Sequence, residues 1–163
     1  LKARKTMEAG AKYINPDIKF TSVMSGSWTD VAKGKEIGIS MISTNKADVI
    51  FSFASGVDAG VREACQSADN VYFIAQPSES HDTAPDITVT SIIQSNEALI
   101  YHAMETAANG TFKGGYYIAG FEDGGTCSLG VFGDFFDADK QAKVNDVINK
   151  IKSGEIDCDS YAK

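Results

Sequence analysis

Gly26-Ser27-Trp28-Thr29-Asp30, continued by Val31-Ala32-Lys33-Gly34-Lys35, is the stretch on which the fold turns. It lies between an extended apolar run, Ile18 to Met24, and a helical pattern that begins near Val31. A glycine turn, an exposed aromatic and a helix-capping acid at a strand's carboxyl end are what an open α/β sheet uses to hold a small molecule. The plain alternative is an ordinary strand-to-helix turn. The surrounding sequence decides between the two.

Working outward, helices and strands alternate. Upstream, Leu1 to Ile14 has a helical pattern, with Ala3, Met7, Gly10 and Ile14 recurring, and it ends at Asn15-Pro16-Asp17 because proline cannot continue it. A strand with Ile18, Phe20 and Val23 leads to the turn. Downstream, Asp30 is a good N-cap for a helix from about Val31 to Thr44, whose buried face carries Val31, Ile37, Gly38, Met41 and Ile42. Ala47 to Ala54 reads as a second strand, and Ser55-Gly56 turns into a helix near Asp58 with Val61, Ala64, Cys65 and Ala68 inward.

Val71 to Ala75 is a third strand, followed by a polar loop from Gln76 to Pro85, and Ile87 to Ile93 is the fourth. Asn96 to Ala108 is helical, with Leu99, Ile100, Ala103 and Met104 on its core face. Tyr116 to Ala119 is strand-like, and Gly124-Gly125 suggests a hairpin joining it to Ser128–Phe132. A last helix runs from Asp137 to Ile151 with Val144, Val147, Ile148 and Ile151 inward. Such alternation predicts βαβ units, hence a three-layer αβα, flavodoxin-like α/β fold with a mostly parallel sheet. Near-continuous apolar strands suit a sheet covered on both faces, which places Val49, Phe51, Val71 and Ile74 in the core.

Composition narrows the function. The 163 residues carry a net charge of −7, so no basic stripe exists to neutralise phosphates and nucleic acid is not an expected partner. No apolar run approaches the roughly 18 residues of a membrane span. Cys65, Cys127 and Cys158 match no zinc or redox spacing, and an odd count cannot pair fully within one chain. Cys65, on an apolar helix stripe, reads as a small buried hydrophobe. No signal peptide or lipobox is present, and the chain starts in a helix where such domains open with a strand, so the beginning of the natural protein is expected to lie upstream.

Seven short stretches, in order, resemble the basic membrane protein (PnrA-like) family. They begin with Ala9-Gly10-Ala11-Lys12 and Asn15-Pro16-Asp17-Ile18-Lys19, followed by the Gly26-Ser27-Trp28 element with its Ala32-Lys33-Gly34-Lys35 tail. Next come Ala47-Asp48-Val49-Ile50-Phe51, then Ala54-Ser55-Gly56 with Gly60-Val61 and Ala64, then Thr90-Ser91-Ile92-Ile93. Gly110-Thr111-Phe112-Lys113-Gly114-Gly115 and the Gly120, Gly124-Gly125 group complete the set. The resemblance implies a type I periplasmic-binding fold, two α/β lobes closing on a ligand. It implies an extracytoplasmic lipoprotein that delivers a purine nucleoside, or a related small molecule, to an ABC transporter permease, with no catalysis and no cofactor.

On this resemblance residues 1–85 and 114–163 belong to the second lobe, 86–113 cross into the first, and the first lobe is missing. The strand before the opening helix would lie between Ile18–Met24 and Val49–Phe53. Without it, another segment or a second copy is expected to fill the gap, or the two strands pair directly. Leu99, Ile100 and Met104 would stand exposed without their home lobe.

Two departures concern the ligand. Where the family shows V-D-S-D-Q, with a ribose-binding aspartate, this chain has Ala75-Gln76-Pro77-Ser78-Glu79. Gln94 replaces the family lysine. A carboxylate only accepts hydrogen bonds, whereas an amide donates and accepts.

The ligand-binding candidates are therefore Trp28, Ser55, Gly56, Gln76 and Gln94, each with a bland alternative. Trp28 could pack beneath its neighbouring loop, Ser55 and Gly56 could simply start a helix, and glutamine is at home on any polar surface. His81 and His102 lack a nucleophile or carboxylate at recognisable spacing, and His102 reads as a solvated surface residue. Asp134, Asp137 and Asp139 lack the glycine and glutamate of a calcium loop and read as helix capping. Gly110, within the sequon-like Asn109-Gly110-Thr111, reads as the residue ending its helix. Two other function classes stay open: a ligand-sensing domain of a regulator or receptor, and an enzyme on a flavodoxin-like scaffold. The absence of G-x-G-x-x-G, P-loop and nucleophile-elbow motifs counts against the enzyme.

Overall fold

The computed structural model describes residues 2–117, 119–121, 125–158 and 160. Helix α1 (Lys2–Ile14) opens the chain, followed by α2 (Val31–Ser43), β1 (Val49–Phe51), α3 (Val57–Gln66) and β2 (Tyr72–Ala75). A single 3-10 turn (His81–Thr83) precedes β3 (Thr88–Gln94), α4 (Asn96–Ala108), β4 (Cys127–Leu129) and α5 (Ala138–Lys152). The helix ends obey local chemistry. Asp30, Ser95 and Asp137 cap α2, α4 and α5 by accepting from the Lys33, Ala98 and Lys140 amides. Gly110, at φ 69°, follows the C-cap of α4, as its sequence position predicts.

The sheet has four strands in the order β1-β2-β3-β4. β1, β2 and β3 are parallel, with Phe51 opposite Ile74 and Ala75 opposite Ser91, and β4 joins β3 antiparallel with Ile93 opposite Ser128. This is the αβα arrangement with a mostly parallel sheet that the alternation predicts, and it is incomplete, as the family resemblance implies. On one face α3 buries Val57, Val61 and Cys65 against Ile50, Phe73 and Ala75, each of the six at most 4% exposed. Full burial of such side chains contributes about 1.5–3 kcal/mol apiece. Burial also pushes the Cys65 thiol up to about 11, in keeping with an inert core residue. The other face is covered in part by the segment after β4, where Phe135 packs on Tyr72 with centroids 4.7 Å apart.

Helix α2 lies on α3 with almost no side chain between them. A Cβ at Gly60 would stand 1.9 Å from the Val31 carbonyl oxygen, and one at Gly34 would stand 2.1 Å from that of Val57. The glycine in the Ala32–Lys35 tail is thus a contact point between helices.

Several expectations are corrected. Ile18–Met24 forms no strand: its residues have no ladder partner, and Val23 and Met24 are 49% and 83% exposed. Among the described residues no strand pairs with β1 on the side away from β2, and Ile18–Met24 does not pair with it, so β1 keeps an open edge and Val49 is 48% exposed rather than buried. Phe51 and Ile74 are half-buried for want of a complete cover, while Val71 is buried as expected. Tyr116–Ala119 is not a strand in its described part, and Ile118, like Gly124 of the expected hairpin turn, lies outside the described residues. The strand near Ser128 pairs with β3 instead. No residue of α4 or α5 is fully buried, so the inward faces assigned to both are half-covered at best.

Candidate functional site

The carboxyl ends of β1, β2 and β3 point the same way because the three strands are parallel. In open α/β sheets that edge is where ligands bind. Ser55, Gly56 and Gln76 lie past these ends, Gln94 is the last residue of β3, and the fifth candidate, Trp28, is tied to Gly56.

The Gly26–Asp30 turn is built by its own side chains. Gly26 takes φ 66°, a conformation glycine reaches freely. The Ser25 hydroxyl donates to the Ser27 carbonyl at 2.7 Å. The Ser27 hydroxyl in turn accepts the Thr29 and Asp30 amides at 3.2 and 3.1 Å. These local bonds hold Trp28 outward, 63% exposed, with its ring edge-on to Phe53 at 6.4 Å. Trp28 is therefore not packed beneath a loop.

The turn after β1 is held by Asp58, a carboxylate 7% exposed on the first turn of α3. It accepts from the Ser52 hydroxyl and, at 2.8 Å, from the Ala54 amide. Ser55 is then forced to φ 56°, a left-handed conformation that costs a non-glycine residue about 1–2 kcal/mol. Gly56 donates its amide to the Trp28 carbonyl at 2.9 Å. A Cβ at Gly56 would meet the Thr29 Cα at 3.3 Å, so glycine permits this close approach. The structure thus brings Trp28, Ser55 and Gly56 together.

Gln76 and Gln94 form a second pair. Gln76 is half-buried at the end of β2 and precedes Pro77 through a cis peptide bond. The Gln94 amide donates to the Pro77 carbonyl at 2.9 Å, so the ends of β2 and β3 are tied together.

One residue at this edge escapes sequence reasoning. Glu79 accepts four hydrogen bonds, from the Ser80 and His81 amides, the Ser91 hydroxyl and the Val131 amide. Partial desolvation works to raise its pKa, but the donors, Val131 and His81 foremost, outweigh it and hold the carboxyl below its ordinary range. Its only sequence signal is its place in the Ala75–Glu79 run.

The remaining candidates fall elsewhere. His102 is not simply solvated: its ring stacks on Tyr117 at 4.0 Å, beside an open cleft of about 360 Å³ along α4 that none of the five ligand candidates lines. The His81 imidazole has a buried Nδ1 without a hydrogen-bond partner. Among the described residues no group of three His, Cys, Asp or Glu side chains could hold a metal, and no helix is long and apolar enough to cross a membrane.

The model of one protein family, ABC transporter substrate-binding protein PnrA-like, matches residues 2–160. Basic membrane protein C of Borreliella burgdorferi is 31% identical over 91% of this chain and 43% of its own length. The ABC transporter nucleoside-binding protein BmpA of Lactococcus lactis is 25% identical over 91% of this chain and 45% of its own. Among solved structures, a transcriptional activator of the comK gene from Bacillus halodurans superposes with a TM-score of 0.74 at 25% identity, over 86% of this chain and 48% of that one. The chain spans less than half the length of each of these proteins.

Proposed function

We propose that this chain, which belongs to the family of PnrA-like ABC transporter substrate-binding proteins, forms the second lobe of a solute-binding protein that presents a nucleoside-like ligand to an ABC permease. Residues 1–85 and 114–163 make up the lobe. Residues 86–113 lead into the other lobe, with β3 as their stem in this sheet and α4 as the part that crosses. The protein works outside the cytoplasm as an anchored lipoprotein and performs no catalysis.

The observation that carries this reading is the pair of ties at one sheet edge. The Gly56 amide joins the β1 turn to Trp28, and the Gln94 amide joins the β3 end to the Gln76 loop. A base can stack on the open face of Trp28, worth roughly 1–3 kcal/mol. The Ser55 hydroxyl and the side-chain amides of Gln76 and Gln94 supply directional polar contacts. Because Gln76 and Gln94 carry no charge, the ligand's hydroxyls and ring edge meet donors as well as acceptors. The name of the Lactococcus lactis relative supports the ligand class.

Mass spectrometry of small molecules co-purifying with the full-length gene product tests this directly. Recovery of a purine or pyrimidine nucleoside, with micromolar rebinding in calorimetry, is the expected result. Recovery of a charged solute such as an amino acid, and no nucleoside, would overturn the ligand class.

A second reading is favoured by the likeness to the Bacillus halodurans protein, a transcriptional activator of the comK gene. In that reading the same crevice senses a ligand instead of delivering it. A leader with a lipid-accepting cysteine ahead of α1 in the gene selects transport, and a DNA-binding segment selects regulation.

A further inference from the structure

We propose that Glu79 is a positioning residue of the ligand crevice. Its carboxylate fastens the loop that carries Gln76 to the two strands by which the chain leaves for α4 and returns, without itself touching ligand. The inference rests on the reading of Gln76 as a ligand contact.

The geometry is that of a clasp. Oε1 accepts from the Ser80 amide at 2.8 Å, the His81 amide at 2.9 Å and the Ser91 hydroxyl of β3 at 2.8 Å. Oε2 accepts from the Val131 amide, just past β4, at 2.7 Å. The loop, β3 at 12 residues' separation and the stretch after β4 at 52 therefore meet on one side chain. Gly130 makes room for it, since a Cβ there would lie 2.1 Å from Oε2. Two further bonds surround the clasp: Ser80 amide to Ser91 hydroxyl at 3.0 Å, and Gly130 amide to Ser91 carbonyl at 2.8 Å.

The site is chemically specific for an ionised carboxylate. Four donors converge and no acceptor faces them, so an amide at position 79 would turn an N–H toward a donor. Among the described residues no lysine or arginine pairs with Glu79, so hydrogen bonds alone hold the charge. The loop it fastens has only one 3-10 turn of regular structure between β2 and β3. A loop fixed before ligand arrives does not have to be ordered on binding, and that saving appears as affinity. Because β3 and β4 lead to and from α4, the same clasp makes the position of Gln76 depend on where those strands lie.

The test compares wild type, Glu79→Gln and Gly130→Ala in the full-length gene product, with inosine as the calorimetric probe and amide hydrogen exchange as a ligand-free readout. Gly130→Ala keeps the charge but displaces the carboxylate. Expected for both variants are roughly tenfold weaker inosine binding and clearly faster exchange at the Ser80, His81 and Val131 amides. Exchange in α3 should be unchanged, and the double variant should be no worse than either single one. Unchanged exchange in the loop, accelerated exchange in α3 as well, or additive losses in the double variant would overturn the proposal. So would inosine affinity that stays at the wild-type value. If inosine does not bind wild type, the nucleoside reading falls by itself and the exchange comparison still decides the role of Glu79.

Discussion

Helices α3 and α4 both carry apolar residues at helical spacing, sharply confined to one stripe in α3 and spread around the helix in α4, and their surroundings differ completely. α3 has six buried residues, locked beneath α2 at Gly34, Gly38 and Gly60 and seated on Ile50 and Phe73. α4 has none, and Ile100 and Met104 are 60% and 68% exposed. An apolar period announces a face that wants covering and says nothing about what covers it. One region of the chain carries its own cover; the other presents a surface.

The contrast is broken most severely by Phe73→Ala. Removing a ring that is 1% exposed should cost about 3–5 kcal/mol in urea denaturation. A cost below about 1 kcal/mol would mean that the α3 region is no better packed than α4. Next comes Gly60→Ala, where a methyl would meet the Val31 carbonyl and force α2 off α3. About 1–3 kcal/mol is expected, the usual scale of overpacking, and a stabilised protein would show that the helices can separate freely. Trp28→Ala should leave the melting temperature nearly unchanged, because the ring is exposed. It should weaken nucleoside binding by about 1–3 kcal/mol if the indole stacks on the base.

A smaller effect is expected from pH. The carboxyl of Glu79 lies below its ordinary value in the folded protein, so its contribution is complete above pH about 4.5 and fades as pH falls through the lowered folded value. Partial exposure limits its size. Glu79→Gln should therefore flatten the acid limb of the stability curve, and an unchanged acid limb would show that the clasp forms with the protonated acid too. Ile100→Ser on α4 should change stability least, by no more than about 0.5 kcal/mol. A large loss would show that its face is covered after all.

The same contrast explains what the sequence discloses. The bounds of α2, α4 and α5 are legible because capping residues and helical periods are local, as at Asp30, Ser95 and Asp137. The parallel β1–β2–β3 core follows from the βαβ rhythm. Ile18–Met24 is misread because a strand exists only by pairing, and its apolar content cannot supply a partner. Val49 fails for the same reason, sitting on an edge that its run of apolar neighbours does not reveal. At the candidate site, the turn around Trp28 is legible because Ser25, Ser27 and Asp30 build it from within. Glu79 is not, because its decisive donor, the Val131 amide, is 52 residues away.

Trp28 is the chain's one tryptophan, and the turn holds it exposed beside the carboxyl end of β1. Indole fluorescence shifts to the blue when water leaves the ring. Excited at the red edge of the absorption band, where the six tyrosines scarcely absorb, the chain therefore emits from a single exposed point. The fold carries its own optical reporter, one that registers whatever covers this turn without any label.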